Sequence, residues 1–352
     1  MNEIPSSGRK RRGAGRPTIS DVARLAGVSA ITVSRALRAP ERVSPELRAS
    51  VTAAVAELGY MPDPNARALA SARADVIGVI IPSLTNNVFA DVLRGAYDAV
   101  AGSPYQIQLG NSRYSPFEEE RLLTIFTCQR PSALIVSGID QTSGARKLLK
   151  AAGCPIVQIM ETGPDPLDMM VGFSHRQAAA SVVAHLWEAG YRRIGFMGAR
   201  MDPRSQRRLQ GYRDILEEVG HYDPALITTT PVASSVSLGR DLLRELISRV
   251  PDIDAVFCNN DDLAMGALFE CQRAGLDVPH QLGIAGFNDL EMMAASFPTL
   301  TSVRTYRYAM GFRAVQMALD AIQGRDIPQK SVDIGFELAV RESTAGPHLP
   351  LF

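Results

Sequence analysis

Cysteine is scarce in this chain. Four occur in 352 residues, at Cys128, Cys154, Cys258 and Cys271, and no two form a C-x-x-C pair. The scatter excludes a disulfide framework and a thiol-ligated zinc site, and it predicts reduced, mostly buried thiols in a cytoplasmic protein. The five histidines, His175, His185, His221, His280 and His348, fall at no metal-ligand spacing, so neither metal nor cofactor is expected. No apolar run approaches the length of a membrane span, so no membrane partner is expected. The basic start is not followed by an apolar stretch, which predicts no leader peptide. No G-x-G-x-x-G follows a strand-like run, and there is neither a P-loop nor a nucleophile elbow, so catalysis is not expected. Net charge is missing too: 37 Lys and Arg balance 37 Asp and Glu. Its distribution says more. Arg9, Lys10, Arg11, Arg12 and Arg16 stand against Glu3 near the start, which predicts a basic, disordered arm over 1–16. Such an arm suits phosphate contacts, and it suits a solubilising tail equally well.

What is present begins at Thr18. Thr18 is a good N-cap, with Asp21 three residues on as in a capping box. Ile19, Val22, Ala23 and Ala26 recur at helical spacing, and Gly27 ends the helix as a left-handed C′ residue. Ser29 caps a second helix from Ala30 to about Leu37. Ser44, Pro45 and Gly59 frame a third. Two short helices joined by a glycine-containing turn make a helix-turn-helix over 17–61, whose second helix enters a DNA major groove. A packing hairpin gives the same local pattern. Residues 62–75 hold two prolines and then helix formers, in a piece too short to be a stable helix alone.

From Val76 the pattern changes. Strand-like runs at 76–81, 105–109, 133–137, 156–159, 193–197, 255–258 and 282–285 alternate with helical stretches such as 89–100 and 116–126. This predicts parallel sheets with helices on both faces, in two α/β lobes over 76–352. Ligands of open α/β sheets lie beyond the carboxyl ends of the strands. The residues there are polar: Ser83, Thr85, Asn86 and Asn87 with Phe89 behind them, Glu161, Arg200, Arg204 and Arg208, Asn259 to Asp261, and Asn288 with Asp289. Amides and carboxylates suit sugar hydroxyls, and arginine forks suit a carboxylate or phosphate. Each residue alone reads equally well as a helix cap or turn.

These motifs, in this order, resemble the LacI/GalR family of bacterial transcriptional regulators. The resemblance is carried by ISDVARLAGVS (19–29), TVSR (32–35), LGYMP (58–62), IGV (77–79), ND (260–261), IAGF (284–287) and RESTA (341–345). Within the family the chain looks like the gluconate-utilisation repressors, through PSLTNNVFADVLRG (82–95), GAR (198–200), VFCNNDDLA (256–264) and FECQR (269–273). The resemblance implies an N-terminal all-α helix-turn-helix head and an α/β two-lobed, periplasmic-binding-protein-like core with parallel sheets. It implies DNA contacts from Thr18, Ser29, Ala30, Ile31, Thr32, Ser34 and Arg35, with Arg35 at a base-contacting position and Ala30 and Ile31 at variable specificity positions. Both of those are apolar, so base hydrogen bonds from them are excluded and contact with a thymine methyl is left open. Asn65, Arg67 and Leu69 fall in a hinge that the family folds only on DNA, with Leu69 at the position of a minor-groove wedge.

For the core, the resemblance implies effector contacts from Ser83, Asn87, Phe89, Glu161, Arg204, Arg208, Asn260 and Asn288. Asn288 departs from the Asp that many sugar- and purine-binding members carry, which fits an anionic ligand better than a neutral sugar. The expected function is a homodimeric repressor of double-stranded operator DNA, released or engaged by a small sugar acid, gluconate by the subgroup match. The same regulator answering to 2-ketogluconate or a phosphosugar is the alternative. A sugar-binding protein without DNA function is disfavoured by the head. Family tetramers use a C-terminal leucine heptad helix, and the proline-bearing 346–352 segment predicts none, hence no tetramer.

Overall fold

The computed structural model describes residues 17–61 and 74–347. The expectations for the arm at 1–16, for Asn65, Arg67 and Leu69, and for 348–352 fall outside them. The chain divides into two compact units between Ala74 and Asp75.

Among the described residues the first unit has three helices, α1 (Ile19–Ala26), α2 (Ala30–Arg38) and α3 (Pro45–Leu58), with a 3-10 turn at Pro40–Arg42. Half-box capping starts α1: the Thr18 N–H and hydroxyl both donate to the Asp21 carboxylate, at 2.9 and 2.7 Å. Gly27, at φ 69°, turns the chain through the left-handed region that a side chain disfavours. Ser29 then accepts the Thr32 N–H at 3.1 Å and starts α2. Val22, Ala23, Val33, Ala36, Val51 and Ala54 form the buried seam among the three helices. Apolar residues at helical spacing thus fix which face of α2 points in and which points out.

The second unit has two six-stranded sheets. In the first, β11 (Ser331–Asp333), β5 (Met169–Gly172), β4 (Ile156–Ile159), β3 (Pro131–Ser137), β1 (Ala74–Ile81) and β2 (Gln106–Asn111) lie in that order. The second runs β12 (Phe336–Ala339), β10 (Thr301–Thr305), β9 (Gly283–Asn288), β8 (Ala255–Cys258), β6 (Ile194–Ala199) and β7 (Ile227–Thr230). The pairs β1–β2, β3–β4, β4–β5, β5–β11, β6–β7, β6–β8, β8–β9 and β9–β10 are parallel, as expected, while β12 runs antiparallel to β10. The helices are α4 (Asn87–Val100), α5 (Pro116–Cys128), α6 (Ser143–Ala151), α7 (His175–Glu188), α8 (Pro203–Glu218), α9 (Val236–Arg249), α10 (Asp261–Ala274), α11 (Glu291–Ala295) and α12 (Arg307–Ile322). None of the described helices is long and apolar enough to cross a membrane.

The two lobes are not two consecutive series, as the alternation suggested. The chain crosses between them after β5, returns after β10 to lay α12 on α4, and crosses back between β11 and β12. Three crossings make a hinge, and the strand ends of both sheets face one cleft. The expectation of mostly buried thiols needs correcting. Cys258 and Cys271 are buried, Cys154 is half-buried and Cys128 is exposed at the end of α5.

One close approach sets the cleft geometry. A Cβ on Gly211 of α8 would collide with the Arg176 carbonyl oxygen of α7. Glycine therefore lets the two helices touch, and α8 carries Arg208 three residues earlier. Gly211→Ala is expected to destabilise the protein by about 1–3 kcal/mol through overpacking. A lower midpoint in urea unfolding checks it, and an unchanged midpoint would mean that the helices separate freely.

Candidate functional site

In the first unit α2 turns Val33 and Ala36 inward and leaves Ile31 and Arg35 exposed one turn apart. Ala30, Thr32 and Ser34 are half-buried beside them, while Thr18 and Ser29 are exposed at the helix starts. The Ser29 hydroxyl is shared with that of Thr32 at 2.8 Å. Among the described residues no carboxylate pairs with Arg35. Its guanidinium fork is thus presented to solvent, beside an apolar Ile31 that is 72% exposed. This is a surface with one strong hydrogen-bonding group and one apolar contact.

In the second unit the strand ends line an inner chamber of about 50 Å³ that is open to solvent. Asn86, Phe89, Tyr114 and Met160 line it from the first lobe, and Arg200, Arg204, Ser205, Arg208, Asn260 and Asn288 from the second. The backbone at these strand ends is unusual. Arg113, Tyr114, Met160, Arg200, Met201, Asn288 and Asp289 all have positive φ without being glycine. Such conformations cost energy and collect where side chains must be aimed at a ligand.

Arg208 dominates the chamber's chemistry. It is buried, and its guanidinium lies 3.7 Å from the centre of the Phe287 ring. Its Nε donates to His175 Nδ1 at 3.1 Å, and its Nη1 donates to the Asn259 carbonyl. Among the described residues no carboxylate lies within ion-pair distance of it. Burial lowers its pKa to about 10, so it remains charged at neutral pH. His175 is buried and donates from Nε2 to the Met160 carbonyl at 2.8 Å, which leaves Nδ1 as the acceptor for Arg208. Burial, together with the Arg208 charge, holds the imidazole well below its usual pKa and keeps it neutral. Asn288 is also buried, and its side-chain amide makes no hydrogen bond to the described residues although it lines the chamber. The carboxylates of Asp202, Asp261 and Glu161 offset part of the cost of burying Arg208, and the Asn288 amide faces the chamber, so both groups can pair directly with a ligand.

The other arginines hold the lobes together. Arg204 donates to Ser137 Oγ across the cleft at 3.2 Å, pairs with Asp202 at 3.3 Å and lies 5.7 Å from the centre of the Phe89 ring. Arg207 pairs with Asp140 of the first lobe and approaches Glu161 at 3.6 Å. Arg200 stacks over Tyr114 at 4.0 Å.

Of the effector residues expected from sequence, Phe89, Arg204, Arg208, Asn260 and Asn288 line the chamber. Asn260 also caps α10 by accepting the Leu263 N–H. Three do not line it. The Ser83 hydroxyl accepts the N–H groups of Thr85 and Asn86 and shapes a turn. Asn87 is exposed on the first turn of α4, and its neighbour Asn86 lines the chamber instead. Glu161 is buried behind the wall, accepting the N–H groups of Thr162 and His175 through Oε1. Its Oε2 has no hydrogen-bond partner, and burial pushes its pKa up to about 7. Sequence reasoning missed His175, because the short strand β5 before it was not foreseen. It also missed Tyr114, whose hydroxyl accepts from Asn86 Nδ2 at 3.1 Å.

Comparison with known proteins accords with both units. Residues 18–63 match the model of bacterial regulatory proteins of the lacI family, and residues 183–344 match that of a periplasmic binding protein-like domain. The HTH-type transcriptional regulator GntR of Pseudomonas aeruginosa is 41% identical over 97% of this chain and 99% of its own length. GntR of Escherichia coli is 38% identical over 92% of this chain and 97% of its own length. The crystal structure of a LacI-family transcriptional regulator from Silicibacter pomeroyi superimposes with a TM-score of 0.87 at 35% identity, covering 93% of this chain and 99% of that one. The chain therefore belongs to the LacI family of bacterial regulatory proteins, as a transcriptional repressor with a helix-turn-helix head and a two-lobed binding core.

Proposed function

We propose that this repressor binds a near-palindromic double-stranded operator as a homodimer, under the control of gluconate or a close sugar acid held in the inner chamber. The observation that carries the ligand class is the buried charge of Arg208, with no direct ion pair among the described residues, beside the Asn288 amide that faces the chamber. An anionic carboxylate supplies a direct partner. Asn86, Ser205, Asn260 and Asn288 offer hydrogen bonds to a polyol chain, and Phe89 offers an apolar wall for its CH groups. The resemblance of 82–95 and 256–264 to gluconate-utilisation repressors selects a sugar acid among the anions. Arg204 plays a lesser part, since Asp202 already neutralises it. No step of this function is catalytic.

The chamber walls come from both lobes, so a ligand stabilises one lobe arrangement over another. That differential affinity is what shifts the protein between DNA-competent and incompetent states. On DNA, Arg35 reads a base edge, Thr18, Ser29, Thr32 and Ser34 meet the backbone, and Ala30 and Ile31 meet apolar base surface. The hinge adds Asn65, Arg67 and the Leu69 wedge.

Arg208→Ala is expected to abolish the effector response while leaving operator affinity within about twofold, since the head is a separate unit. Gluconate titration of an operator-bound fluorescent complex reads both. An unchanged response would remove Arg208 from the site, and no gluconate binding by the wild type would defeat the ligand assignment. Arg35→Ala should relax sequence preference by about 1–3 kcal/mol, as loss of a bidentate base contact does. Leu69→Ala should weaken operator binding more than random-sequence binding, because the wedge acts only on a bent site. Equal losses on both DNAs would sink the two assignments.

A further inference from the structure

Beside the inner chamber lies a second, outer one of about 120 Å³, which the reading above leaves unused. The two share Tyr114, Asp202 and Arg204 as a partition. The outer walls again come from both lobes, with Ser112, Glu119, Ser137 and Gln141 on one side and Asp202, Pro203 and Arg204 on the other. We propose that this outer chamber is a second ligand subsite, which takes an uncharged, sugar-sized polyol independently of the acid in the inner chamber.

Three observations support it. The first is Ser112, at the end of β2. It is mostly buried and lines the chamber, and among the described residues its hydroxyl makes no hydrogen bond. That hydroxyl, open to the chamber, is free to donate to and accept from a ligand's hydroxyls. The second is charge. Asp140 is neutralised by Arg207 and Asp202 by Arg204, while no cation among the described residues pairs with Glu119 within ion-pair distance. The lining is thus net acidic, which repels a sugar acid and suits hydroxyl donors. Burial pushes the Glu119 carboxyl upward, as fits a group kept from bulk water. The third is shape. Ile80, Pro82, Pro116 and the Tyr114 side chain give apolar surface opposite these polar groups, the mixture that polyols with CH and OH faces require. The consecutive positive φ values of Arg113 and Tyr114 fix the rim that separates the chambers.

The test is calorimetric titration of D-glucose into the full-length protein, with and without saturating gluconate. The wild type is expected to bind D-glucose in both cases. Ser112→Val and Glu119→Gln should each weaken glucose binding by at least about tenfold, the loss that accompanies removal of one buried hydrogen-bonding group. Gluconate binding should stay within about twofold in both variants, which also reports that they are folded. In Arg208→Ala, glucose binding should persist while gluconate binding is lost, so failure of the inner assignment and failure of this one are separable. No glucose binding by the wild type overturns the proposal. So does displacement of glucose by gluconate, or an affinity for glucose that neither variant changes.

Discussion

Arg208 carries a positive charge into the interior of the second unit; no carboxylate among the described residues lies within ion-pair distance, although Asp202, Asp261 and Glu161 favour its charged form from further away. A buried charge is expensive, and it persists only where the surroundings hold it in place. Here they do so from three directions. His175, kept neutral by burial, accepts from Nε, the Asn259 carbonyl accepts from Nη1, and the Phe287 ring faces the guanidinium. Each support depends on another contact: His175 is fixed by the Met160 carbonyl, and α8 reaches α7 only because residue 211 is glycine. On the proposed reading, an anionic ligand would add a direct partner to this arrangement.

The charge sits where it can also bias the lobes. Arg200, Arg204 and Arg207 extend from α8 and the loop before it to Tyr114, Ser137 and Asp140 of the other lobe. A ligand that bridges Arg208 and the first-lobe wall adds to this set of cross-cleft contacts. Regulation then needs only a difference in ligand affinity between two lobe arrangements joined by three chain crossings.

Much of this was legible in the sequence, for identifiable reasons. Caps and glycines punctuate the head, so α1, α2 and α3 lie where Thr18, Gly27, Ser29, Ser44 and Gly59 put them. Strands of mostly apolar residues, such as Ile156–Ile159 with its single Gln158, and Ala255–Cys258, were also plain. Strands β7 and β10 were not, because ITTT and TSVRT carry little apolar signal and are made strands by their neighbours in the sheet. Arg208 and Asn288, expected near a ligand because polar residues at strand ends point to one, both line the chamber. Asn87 was chosen over Asn86 because composition does not resolve a one-residue rotation at a helix start. Glu161 read as a ligand residue because burial behind a wall leaves no mark in sequence, and His175 was missed with the strand that delivers it.

The central claim is that Arg208 is completed by the carboxylate of the ligand. A thermodynamic cycle tests this directly, with calorimetric affinities of the wild type and Arg208→Gln for gluconate and for D-glucitol, which has a hydroxymethyl group in place of the carboxylate. A coupling of about 1.5–3 kcal/mol between the guanidinium and the carboxylate is expected, the range of a hydrogen bond to a charged group. A coupling near zero, with gluconate losing no more than glucitol when Arg208 is replaced, would contradict the account.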